Sequence, residues 1–521
     1  TEWPPNMAQV AVWAGNLHVN SILNNIMPYT EHEIEIVVVD NGSPNNSYEA
    51  LKNKFFHKKV VHFIHSEKNQ GFAKGNNLGF QYAKNQLHSE FIILMNNDTI
   101  IEQKNFTEVL VNKYKEKKYY VLGPDIITAD GYHQNPGTKQ SWNLNELRVF
   151  RFKKRMRLAL GYLHLDKLAT GAIKSLKEIY RIKTLVGDTE NTILHGACLI
   201  FSPEYVRKFE GLYPETFLYM EEDILKLYAD YYGFLMLYSS DLQIYHKEDV
   251  ATNMVQIPNE EKVRKKDRLL IQSSKIYSNL KRRMIVKKAI VTGIEKVASK
   301  AKTDEGYRID LDIPLTYLFM TVAKRVGMLM RGNLKKIGMK EYGKHVFCGS
   351  HVKLKCKSKM KVGNGVTFQS RVYIDALSKT GVTLGNGASI GTGTVIRCSG
   401  NMIELGVGFH LGNHSSLADN CFVGASGGVY IGDDVIGGQN IRFHSSNHVF
   451  MDLSKLIRKQ GITKKGIKIG NNCWIGAGAV FCDGVTIGDG CVIGANAVIT
   501  RSFPENSVIA GNPAKLLKQR L

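Results

Sequence analysis

The stretch IKIGNNCWIGAGAVFCDGVTIGDGCVIGANAVIT, residues 467–500, carries an apolar residue at every sixth position. These positions are Ile469, Ile475, Phe481, Ile487, Ile493 and Ile499. A period of six fits neither an α-helix nor a plain strand, whose side chains repeat about every 3.6 and every 2 residues. It fits a triangular coil in which each six-residue unit forms one flat side, turns its apolar residue inward and places Gly or Asn at the corner.

The same period occurs earlier in the chain, so the coil is expected to have many turns. Aliphatic residues six apart form a run of Leu405, Leu411, Leu417, Val423, Val429, Val435 and Ile441, and a shorter run of Leu384, Ile390 and Ile396. From about residue 345 the composition also shifts toward Gly, Val, Ile and Asn. We therefore predict a left-handed parallel β-helix over residues 345–521.

The period stops after Ile441 and resumes at Ile469. The interrupting stretch NIRFHSSNHVFMD, residues 440–452, contains His444 and His448. We predict that residues 443–466 form a loop that leaves the coil.

The motifs WIGAGAV, GANAVIT and AGNPAK resemble the hexapeptide acyltransferases, the family of the maltose, galactoside and serine acetyltransferases. The resemblance covers roughly residues 345–521. It implies acetyl-CoA as a co-substrate and a homotrimer with the CoA sites between subunits. In this family a loop carries the catalytic histidine, and SSNHVF places His448 at that position. An imidazole can remove a hydroxyl proton near neutral pH, whereas we expect a structural role for His444.

The same resemblance implies the residues that bind acetyl-CoA. Matched residue by residue, Ala477 and Ala495 lie beside the pantetheine arm, and the nucleotide and its phosphates are contacted by Thr500, Arg501, Lys515 and Lys518. Asn420 matches a family position near the acceptor, although an asparagine in a coil can also serve as a corner or as part of an asparagine ladder. We expect Trp474 to be structural packing near the site.

The γ-class carbonic anhydrases are the alternative for this domain, because they share the β-helix and bind zinc through histidines. The histidines that raise this alternative are His410, His414, His444 and His448. The AGNPAK tail with its following basic residues favours CoA instead, and zinc analysis of the purified protein would distinguish the two.

Residues 1–258 alternate strand-like and helix-like stretches. The apolar strands are IEIVVVD (34–40), FIILMNND (91–98) and NTILHGACLIFS (191–202), and each of the first two ends in polar residues. This is the α/β pattern, in which ligands collect beyond the carboxyl ends of the strands.

The ordered set IEIVVVDNGSPNNS, SEKNQGFAKGNNLGF and FIILMNNDT resembles the family 2 glycosyltransferases of GT-A fold, in particular the rhamnosyltransferase-like group. The resemblance covers roughly residues 8–280. It implies a nucleotide-sugar donor, with Asp40 at the nucleotide base and Asn69, Gly71 and Asn76 in a loop close to the nucleotide. The opening stretch VAVWAGNLHVNSIL, residues 10–23, departs from the β-branched strand with which this family usually begins.

The triplet Asn96-Asn97-Asp98 stands where this family carries an Asp-x-Asp-like motif. There a divalent cation, Mg²⁺ or Mn²⁺, bridges the protein and the diphosphate. The resemblance makes Asp98 the metal ligand and Asn97 a substrate contact, and Asn96 replaces the first carboxylate. It also places His246 near the diphosphate or metal, and Gly196 and Ala197 on the acceptor side.

The acidic motif FLYMEEDIL, residues 217–225, is where the family carries its catalytic base. Inverting sugar transfer needs a carboxylate that faces the acceptor hydroxyl. Asp223 is our first choice for this base and Glu222 is the second. The adjacent Glu221 leaves open how the motif aligns with that of the family. The alternative is that an acidic run is simply favourable at a helix N-terminus.

Residues 259–344 form a basic segment between the two domains. The chain has a net charge of +22, and residues 260–344 contain 22 Lys and Arg against 9 Asp and Glu, a net charge of +13. LTYLFMTVAKRVGMLMRGNLKKIG, residues 315–338, reads as a basic amphipathic helix. It is expected either to lie on an anionic membrane surface or to pack on a neighbouring domain as a linker.

The totals bound the remaining possibilities. A chain of 521 residues with 43% hydrophobic residues and 8 cysteines, none in a CxxC pair, indicates several globular domains with reduced thiols in a cytosolic setting. No apolar run approaches the length of a membrane span, so we expect neither a transmembrane helix nor a signal peptide. The chain begins at Thr1 without a methionine, which leaves room for a missing N-terminal piece.

Together these features predict a bifunctional enzyme of bacterial surface-polysaccharide biosynthesis, located in the cytoplasm and in peripheral contact with the inner membrane. It would add a sugar from a nucleotide-sugar donor to an oligosaccharide or lipid-linked glycan and O-acetylate a glycan hydroxyl. One alternative is an acetyltransferase with an inactive or purely binding glycosyltransferase-like domain. A nucleotidyltransferase fusion would need a Gly-rich LxxGxGTRM-like loop, which is missing, and no motif for reading nucleic acid accompanies the basic charge.

Overall fold

The computed structural model describes residues 16–43, 45–138, 140–162, 187–247, 259–302, 306–400 and 404–520. Contacts within the chain divide it into two compact units, Thr1–Leu311 and Asp312–Leu521. The three-part division at residues 258 and 344 remains a prediction.

The first unit alternates helices and strands. Its helices are α1 (Asn16–Asn25), α2 (Ser47–Phe55), α3 (Phe72–Asn85), α4 (Phe106–Lys117), α5 (Leu144–Tyr162), α6 (Pro203–Lys208), α7 (Glu221–Tyr232) and α8 (Asn259–Lys302), with a 3₁₀ turn at Met27–Tyr29. Its strands are β1 (Ile36–Asn41), β2 (Val61–Ser66), β3 (Ile92–Met95), β4 (Thr99–Ile100), β5 (Val121–Thr128), β6 (Asp188–Glu190), β7 (Cys198–Phe201) and β8 (Met236–His246). This is the GT-A-like α/β architecture that the sequence predicted.

Strand pairing brings distant segments of the first unit together. β1 and β2 form a parallel pair, and a second sheet has the order β3-β7-β5-β8-β4, with β6 paired to β8. β1 is apolar on both sides because helices cover both of its faces: Ile36 belongs to one buried cluster and Val37 to another. Polar residues stand at the ends of these strands: β1 ends in Asp40 and Asn41, β3 is followed by Asn96, and β8 ends in His246.

The departure at residues 10–23 has a structural counterpart in α1. Residues 16–25 form a helix rather than an opening strand, and residues 10–15 lie outside the described residues. Val19 and Ile22 are buried, and the Ser21 hydroxyl donates to the Ile101 carbonyl oxygen at 2.6 Å. The helix is thus fixed to the segment that follows β4.

The first part of the predicted basic segment is a long helix that packs on the first unit. Asp267 in α8 is buried and forms ion pairs with Arg157 and Lys154 of α5. Tyr277, farther along α8, is also fully buried. The inner face of α8 is therefore part of the first unit's core.

The second unit is a left-handed parallel β-helix with three flat faces. Face one comprises β10 (Phe347–Cys348), β13 (Thr367–Phe368), β16 (Ser389–Ile390), β19 (Ser416–Leu417), β22 (Ile436–Gly437), β27 (Trp474–Ile475), β30 (Val492–Ile493), β32 (Ser507–Ala510) and β33 (Lys515–Gln519). Face two comprises β11 (Lys353–Lys355), β14 (Tyr373–Asp375), β17 (Val395–Arg397), β20 (Phe422–Gly424), β23 (Arg442–His444), β28 (Val480–Phe481) and β31 (Val498–Ile499). Face three comprises β9 (Glu341–Tyr342), β12 (Met360–Val362), β15 (Gly381–Leu384), β18 (Gly408–Leu411), β21 (Val429–Ile431), β26 (Ile467–Ile469) and β29 (Thr486–Ile487).

The six-residue series points inward as predicted, but its phase is not constant. Leu411 pairs with Ile431, which pairs with Ile469, so these residues form one column. Ile431, the column residue, comes eight residues after Val423. Val429, which comes six after Val423, occupies a second inward position on the same strand. Both positions are buried, which is why the sequence conceals the shift. Leu405 is only half-buried and precedes β18, so its place in the series was wrong.

The loop also begins later than predicted. Phe443 is fully buried and pairs with Phe481 in the next coil, and His444 is the last residue of β23. The excursion therefore spans residues 445–466 rather than 443–466. It contains the antiparallel pair β24 (Asn447–His448) and β25 (Ile462–Thr463) and a 3₁₀ turn at Ile457–Lys459. A further 3₁₀ turn occurs at Lys357–Lys359.

A column of Asn and Asp side chains runs along the edge between faces three and one. In each case a side-chain oxygen accepts a hydrogen bond from the backbone N–H of the residue one coil earlier, at 2.7–2.8 Å. The column consists of Asn364, Asn386, Asn413, Asp433, Asn471 and Asp489. We call it the Asx ladder; it satisfies corner N–H groups that would otherwise have no partner in the coil.

Helix α9 (Leu315–Lys335) packs against the first coil of the β-helix. Met328 and Gly332 are buried, and the Arg331 Nε donates to the Cys348 carbonyl oxygen at 2.9 Å. A Cβ atom at Gly332 would lie 1.7 Å from the Val346 carbonyl oxygen. Only a glycine permits this close approach of helix and coil.

Gly332→Ala should therefore destabilise the second unit. Because the new methyl group meets backbone, the helix must move away, at a cost of about 1–3 kcal/mol in the free energy of unfolding. Urea unfolding followed by circular dichroism measures it. Gly327→Ala is the matched control in the same helix, since its Cβ meets only the Arg331 side chain at 3.5 Å. Equal effects of the two substitutions would refute the packing argument.

Candidate active sites

Three polar segments meet in the first unit because of strand pairing. β3 lies antiparallel to β7, which places Asn96-Asn97-Asp98 beside His195-Gly196-Ala197; the Asn96 N–H donates to the Ala197 carbonyl oxygen at 2.9 Å. β4 pairs with β8 at Thr99 and His246. The predicted Asp98 and His246 are thus neighbours.

Asp98 and His246 form a close pair. The His246 Nδ1 donates to the Gln134 Oε1 at 2.7 Å, and the His246 Nε2 lies 3.1 Å from the Asp98 Oδ1. With the proton on Nδ1, the lone pair on Nε2 faces a carboxylate oxygen. A proton or a metal ion between the two atoms satisfies such an arrangement. Both side chains are largely buried, with exposed fractions of 14% for Asp98 and 8% for His246.

This donor set fits a divalent cation. Magnesium is usually held by one or two carboxylates together with substrate phosphates and water. One carboxylate and one imidazole leave most of the coordination sphere to a diphosphate. Within the described part of the chain, no group of three or more His, Cys, Asp or Glu side chains could hold a metal by itself.

Asp40 lies at the predicted strand end but already has a partner. Its Oδ2 lies 2.9 Å from the Nδ1 of His65, the residue opposite it in β2. The His65 ring lies 4.8 Å from that of Tyr48, measured between centroids. A carboxylate, an imidazole and an aromatic ring are therefore grouped at this end of β1 and β2.

The loop predicted to approach the nucleotide is held by short hydrogen bonds. The Asn69 Oδ1 accepts from the Gly71 N–H at 2.9 Å, and the Asn41 Nδ2 donates to the Gly71 carbonyl oxygen at 2.9 Å. Gly71 has φ +88°, and a Cβ there would lie 2.4 Å from the Phe217 carbonyl oxygen. The glycine is thus required by contact with Phe217, the first residue of the acidic motif. Asn76 is buried and donates to its own helix at the Phe72 carbonyl oxygen, so its side chain has a structural role here.

The acidic motif separates its carboxylates by environment. The Glu222 Oε1 accepts from the Gly196 N–H at 3.1 Å, and a Cβ at Gly196 would collide with that oxygen. Glu222 is therefore fixed to the segment that carries His195. Ala197 is fully buried, its N–H bonds to His195 and its carbonyl oxygen to Asn96, so this residue has no exposed surface for a substrate.

Asp223 faces a different region. Burial and the neighbouring Glu222 charge raise the pKa of the Asp223 carboxyl to about 6, against a hydrogen bond from Trp142 that lowers it. Trp142 also lines a surface groove with the side chains of Phe150, Lys153 and Lys281. The Trp142 carbonyl oxygen accepts from the Lys281 Nζ. The Asp223 carboxylate is thus linked to this groove through Trp142, one of the residues that line it.

Glu221 begins α7 and is almost completely buried. The two residues before it, Tyr219 and Met220, have φ of 75° and 70°, which is uncommon for residues other than glycine. Among the described residues, the Glu221 Oε1 has no hydrogen-bond partner. Burial and the Glu222 charge raise the pKa of the Glu221 carboxyl to about 7. This carboxyl is therefore uncharged in the folded protein at mildly acidic pH.

Glu221→Gln should stabilise the protein at alkaline pH. The folded pKa of about 7 exceeds the unfolded value of 4.5, so the wild type loses stability as the pH rises through that interval. A neutral amide does not incur this loss, and we expect a gain of up to about 3 kcal/mol in the free energy of unfolding above pH ~8, falling to near zero by pH ~4. Denaturant unfolding across this pH range tests it; a gain that does not depend on pH would contradict the assignment.

In the second unit, the structure separates the two candidate histidines. His448 is exposed in the excursion, where it pairs with Ile462. His444 stays on face two, with its ring 5.7 Å from that of Phe422. Burial and the Arg442 charge lower the pKa of the His444 imidazole. The excursion is fastened at its base, because the Asp483 carboxylate accepts from the Thr463 hydroxyl at 3.0 Å.

The predicted acetyl-CoA residues occupy two different edges of the prism. Ala477 and Ala495 follow β27 and β30, so they are stacked on the edge between faces one and two. Asn420 lies on the same edge, exposed and with φ 59°, which supports its interpretation as a corner residue. Thr500 and Arg501 follow β31 on the edge between faces two and three, from which the excursion also emerges. Lys515 and Lys518 are exposed on β33.

Trp474 is not packed inside its own chain. It is 57% exposed on face one, and its strand neighbour Ile436 is 62% exposed. The structural role that we predicted for Trp474 is therefore wrong for a single chain. Two adjacent outward apolar residues instead form part of an exposed apolar surface.

The four histidines of the zinc alternative are dispersed. His410 lies on face three, where it stacks on Tyr430 with 4.5 Å between ring centroids, and His444 lies on face two. His414 is a corner residue with φ 54°, and His448 is in the excursion. One chain therefore does not bring them together.

Several neighbours of the first site were not predicted from the sequence. These are His65, Gln134, Trp142 and His195. The His195 ring lies 6.0 Å from that of His246, and the Ala197 N–H donates to the His195 Nδ1 at 3.2 Å. His195 directly precedes Gly196 in a motif already singled out, which was the available signal. The others carry no local signal.

Comparisons with known proteins match a different family model in each of the two units. Residues 18–175 match the family model Glycosyl transferase family 2, and residues 466–501 match Bacterial transferase hexapeptide (six repeats). The low-salt glycan biosynthesis hexosyltransferase of Haloferax volcanii is 26% identical over 188 residues, which cover 36% of this chain and 50% of that protein. A candidate acetyltransferase of Dictyostelium discoideum is 40% identical over 121 residues, which cover 23% of this chain and 59% of that protein.

Among solved structures, the N-acyltransferase AntD from Bacillus cereus in complex with dTDP and 3-hydroxybutyryl-CoA is 17% identical, with a TM-score of 0.26. The match covers 37% of this chain and 88% of that one. The chain spans only 50% and 59% of the two curated relatives. It carries a family 2 glycosyltransferase domain toward its N-terminus and a bacterial transferase hexapeptide repeat toward its C-terminus.

Proposed function

We propose that the chain is a bifunctional enzyme of bacterial surface-polysaccharide biosynthesis, such as that of capsule or O-antigen. The first unit transfers a sugar from a nucleotide-sugar donor to a glycan acceptor, and the second O-acetylates a glycan hydroxyl. The observation that carries the proposal is that one chain holds both the Asp98–His246 pair beside Glu222 and the His448 excursion on a hexapeptide prism.

In sugar transfer, the donor's nucleotide lies at the ends of β1 and β2, with Asp40 at the base and the loop around Gly71 near it. Asp98 and His246 would hold a Mg²⁺ or Mn²⁺ ion. That ion would supply positive charge to offset the charge that develops on the diphosphate. Gly196 orients Glu222 through its backbone N–H.

Asp223 is the proposed base. The acceptor hydroxyl lies in the groove beside Trp142 and gives its proton to the Asp223 carboxylate while its oxygen attacks the anomeric carbon. The bond from that carbon to the diphosphate breaks on the opposite side, which inverts the configuration. Support comes from the different contacts of the two carboxylates, since Glu222 is bound to backbone and Asp223 is hydrogen-bonded to Trp142, which lines the groove.

In acetyl transfer, His448 removes the proton from a glycan hydroxyl, whose oxygen attacks the thioester carbonyl of acetyl-CoA. The C–S bond breaks and the thiolate receives the proton. The proposed assembly is a homotrimer, because Ala477 and His448 lie on different edges of one prism. A complete site would then combine the excursion of one copy with the edge of the next. The exposed Trp474 and Ile436 give such an assembly an apolar contact surface.

Mass spectrometry tests the proposal. Purified protein is incubated with oligosaccharide acceptors, acetyl-CoA and a panel of nucleotide sugars, with and without a chelator. We expect one mass gain of a sugar that depends on both the donor and the metal, and one of an acetyl group that depends on acetyl-CoA. An acetyl gain without a sugar gain would indicate that the first unit only binds its ligands. Retained anomeric configuration in the NMR spectrum of the product would exclude Asp223 as an inverting base.

A further inference from the structure

Helix α9 presents an apolar surface that no described residue of its own unit covers. Its buried side, marked by Leu318, Met328 and Gly332, faces the protein. On another side, apolar residues spaced three or four apart form a continuous stripe along the helix. The members of this exposed stripe are Phe319, Val322, Val326, Met330, Leu334 and the following Ile337. Exposure of Met330 and Leu334, at 66% and 71%, is far beyond that of a packed linker helix.

Positive charge surrounds the stripe. At 100° per residue, Lys324, Arg331 and Lys335 lie on one flank of it, and Arg325 and Lys336 lie on the other. Arg331 is also bonded to the first coil, and Lys336 lies over the Tyr342 ring at 5.0 Å. Residues 315–340 contain no acidic side chain.

The coils next to the helix continue the same charge. Lysines are concentrated on the first turns of the prism, at Lys340, Lys344, Lys353, Lys355, Lys357, Lys359 and Lys361. Over residues 315–361 there are twelve Lys and Arg and one acidic residue, Glu341, so this end of the unit has a net charge of +11. The Lys357 Nζ donates to the Ile337 carbonyl oxygen, which ties the lysine-rich coil to the end of the helix.

We propose that this surface binds an anionic lipid bilayer, with α9 lying in the interface. The partner must be both apolar, to cover the stripe, and negatively charged, to match its flanks. A bilayer with anionic headgroups has both properties. A second copy of the same surface would bring two strongly positive regions together, and nucleic acid would leave the stripe exposed. The helix lies on the bilayer and does not cross it; the described helices include none that is long and apolar enough to span a membrane.

The test is flotation of the full chain with vesicles. One set contains phosphatidylcholine with phosphatidylglycerol, and the other contains phosphatidylcholine alone. We expect binding to the anionic vesicles to be at least about tenfold stronger and to weaken in high salt. Equal binding to the two sets, or no binding to either, would overturn the proposal.

Two double variants on α9, each with a matched double variant on α8, test whether this surface binds the vesicles. Met330→Ser with Leu334→Ser should reduce binding to anionic vesicles by about tenfold or more, because the stripe loses two of its exposed residues. Val286→Ser with Val297→Ser removes two exposed apolar residues from α8 and should leave binding within about twofold. Lys324→Glu with Lys335→Glu should also abolish the preference for anionic lipid, whereas Lys288→Glu with Lys296→Glu on α8 should retain it.

Light scattering distinguishes bilayer binding from an interface between copies of the chain, and transfer assays distinguish it from the proposed reactions. If the serine pair on α9 changes the oligomeric state and leaves vesicle binding intact, the stripe is an interface between copies and the proposal fails. Both transfer reactions on a soluble oligosaccharide should be unchanged in the α9 variants, so the inference stands or falls independently of the proposed reactions. Circular dichroism and melting of each variant establish that it is folded, and the charge variant provides a second test if the serine pair is not.

Discussion

His448→Ala should reduce acetyl transfer by about 10²–10⁴-fold, the usual contribution of a positioned general base. The expected loss follows from its place in the excursion, where no second imidazole shares its strand pair. Mass spectrometry or release of free CoA measures the effect. Sugar transfer by the same preparation should be unchanged.

His444→Ala is the matched control for this experiment. His444 is the last residue of β23 and contacts Phe422 on the face of the prism, so its loss should change acetyl transfer by less than about tenfold. If His444→Ala costs as much as His448→Ala, the base has been assigned to the wrong histidine. Loss of sugar transfer from either change would show that the two sites are not separate.

Asp223→Asn should reduce sugar transfer by about 10²–10⁴-fold and should leave acetyl transfer intact. The amide keeps the size of the side chain but cannot accept the hydroxyl proton. In the wild type the rate should rise with pH and level off above about 6, since burial and the Glu222 charge raise the pKa of Asp223 to about 6 and the base acts only when ionised. The variant should lose this limb of the profile.

Glu222→Gln distinguishes the two candidate bases. A glutamine can still accept the hydrogen bond from the Gly196 N–H, so we expect a smaller loss than for Asp223→Asn. A larger loss would move the base to Glu222. Removal of the Glu222 charge should also shift the wild-type limb toward lower pH, because that charge raises the pKa of Asp223.

The sequence predicted the architecture well where its signals were periodic. The column pairs Leu384–Leu411 and Ile475–Ile493 are visible because every inward residue must be apolar to fill the prism. The phase shift after Val423 was missed for the same reason, since both inward positions hold aliphatic residues. The start of the excursion was missed because Phe443 looked like a loop residue, although it fills the core.

Contacts between distant residues were harder to predict. Gln134 and His246 are 112 residues apart, and nothing in either local sequence indicates that they bond. The Asp98–His246 pair could be anticipated only from the family resemblance. Gly196 is a similar case: the family resemblance places it on the acceptor side, but only the structure shows the Glu222 carboxylate packed against it.

The Asx ladder determines which part of the second unit can vary. The Asp433 N–H bonds to Asn471 at 2.8 Å across 38 residues, whereas the other rungs between members of the ladder join residues 18–27 apart. The ladder therefore continues from the coil before the excursion to the coil after it without losing a hydrogen bond. We therefore expect that the excursion can change in length and composition, or be replaced by that of a homologue, while the coils retain their register.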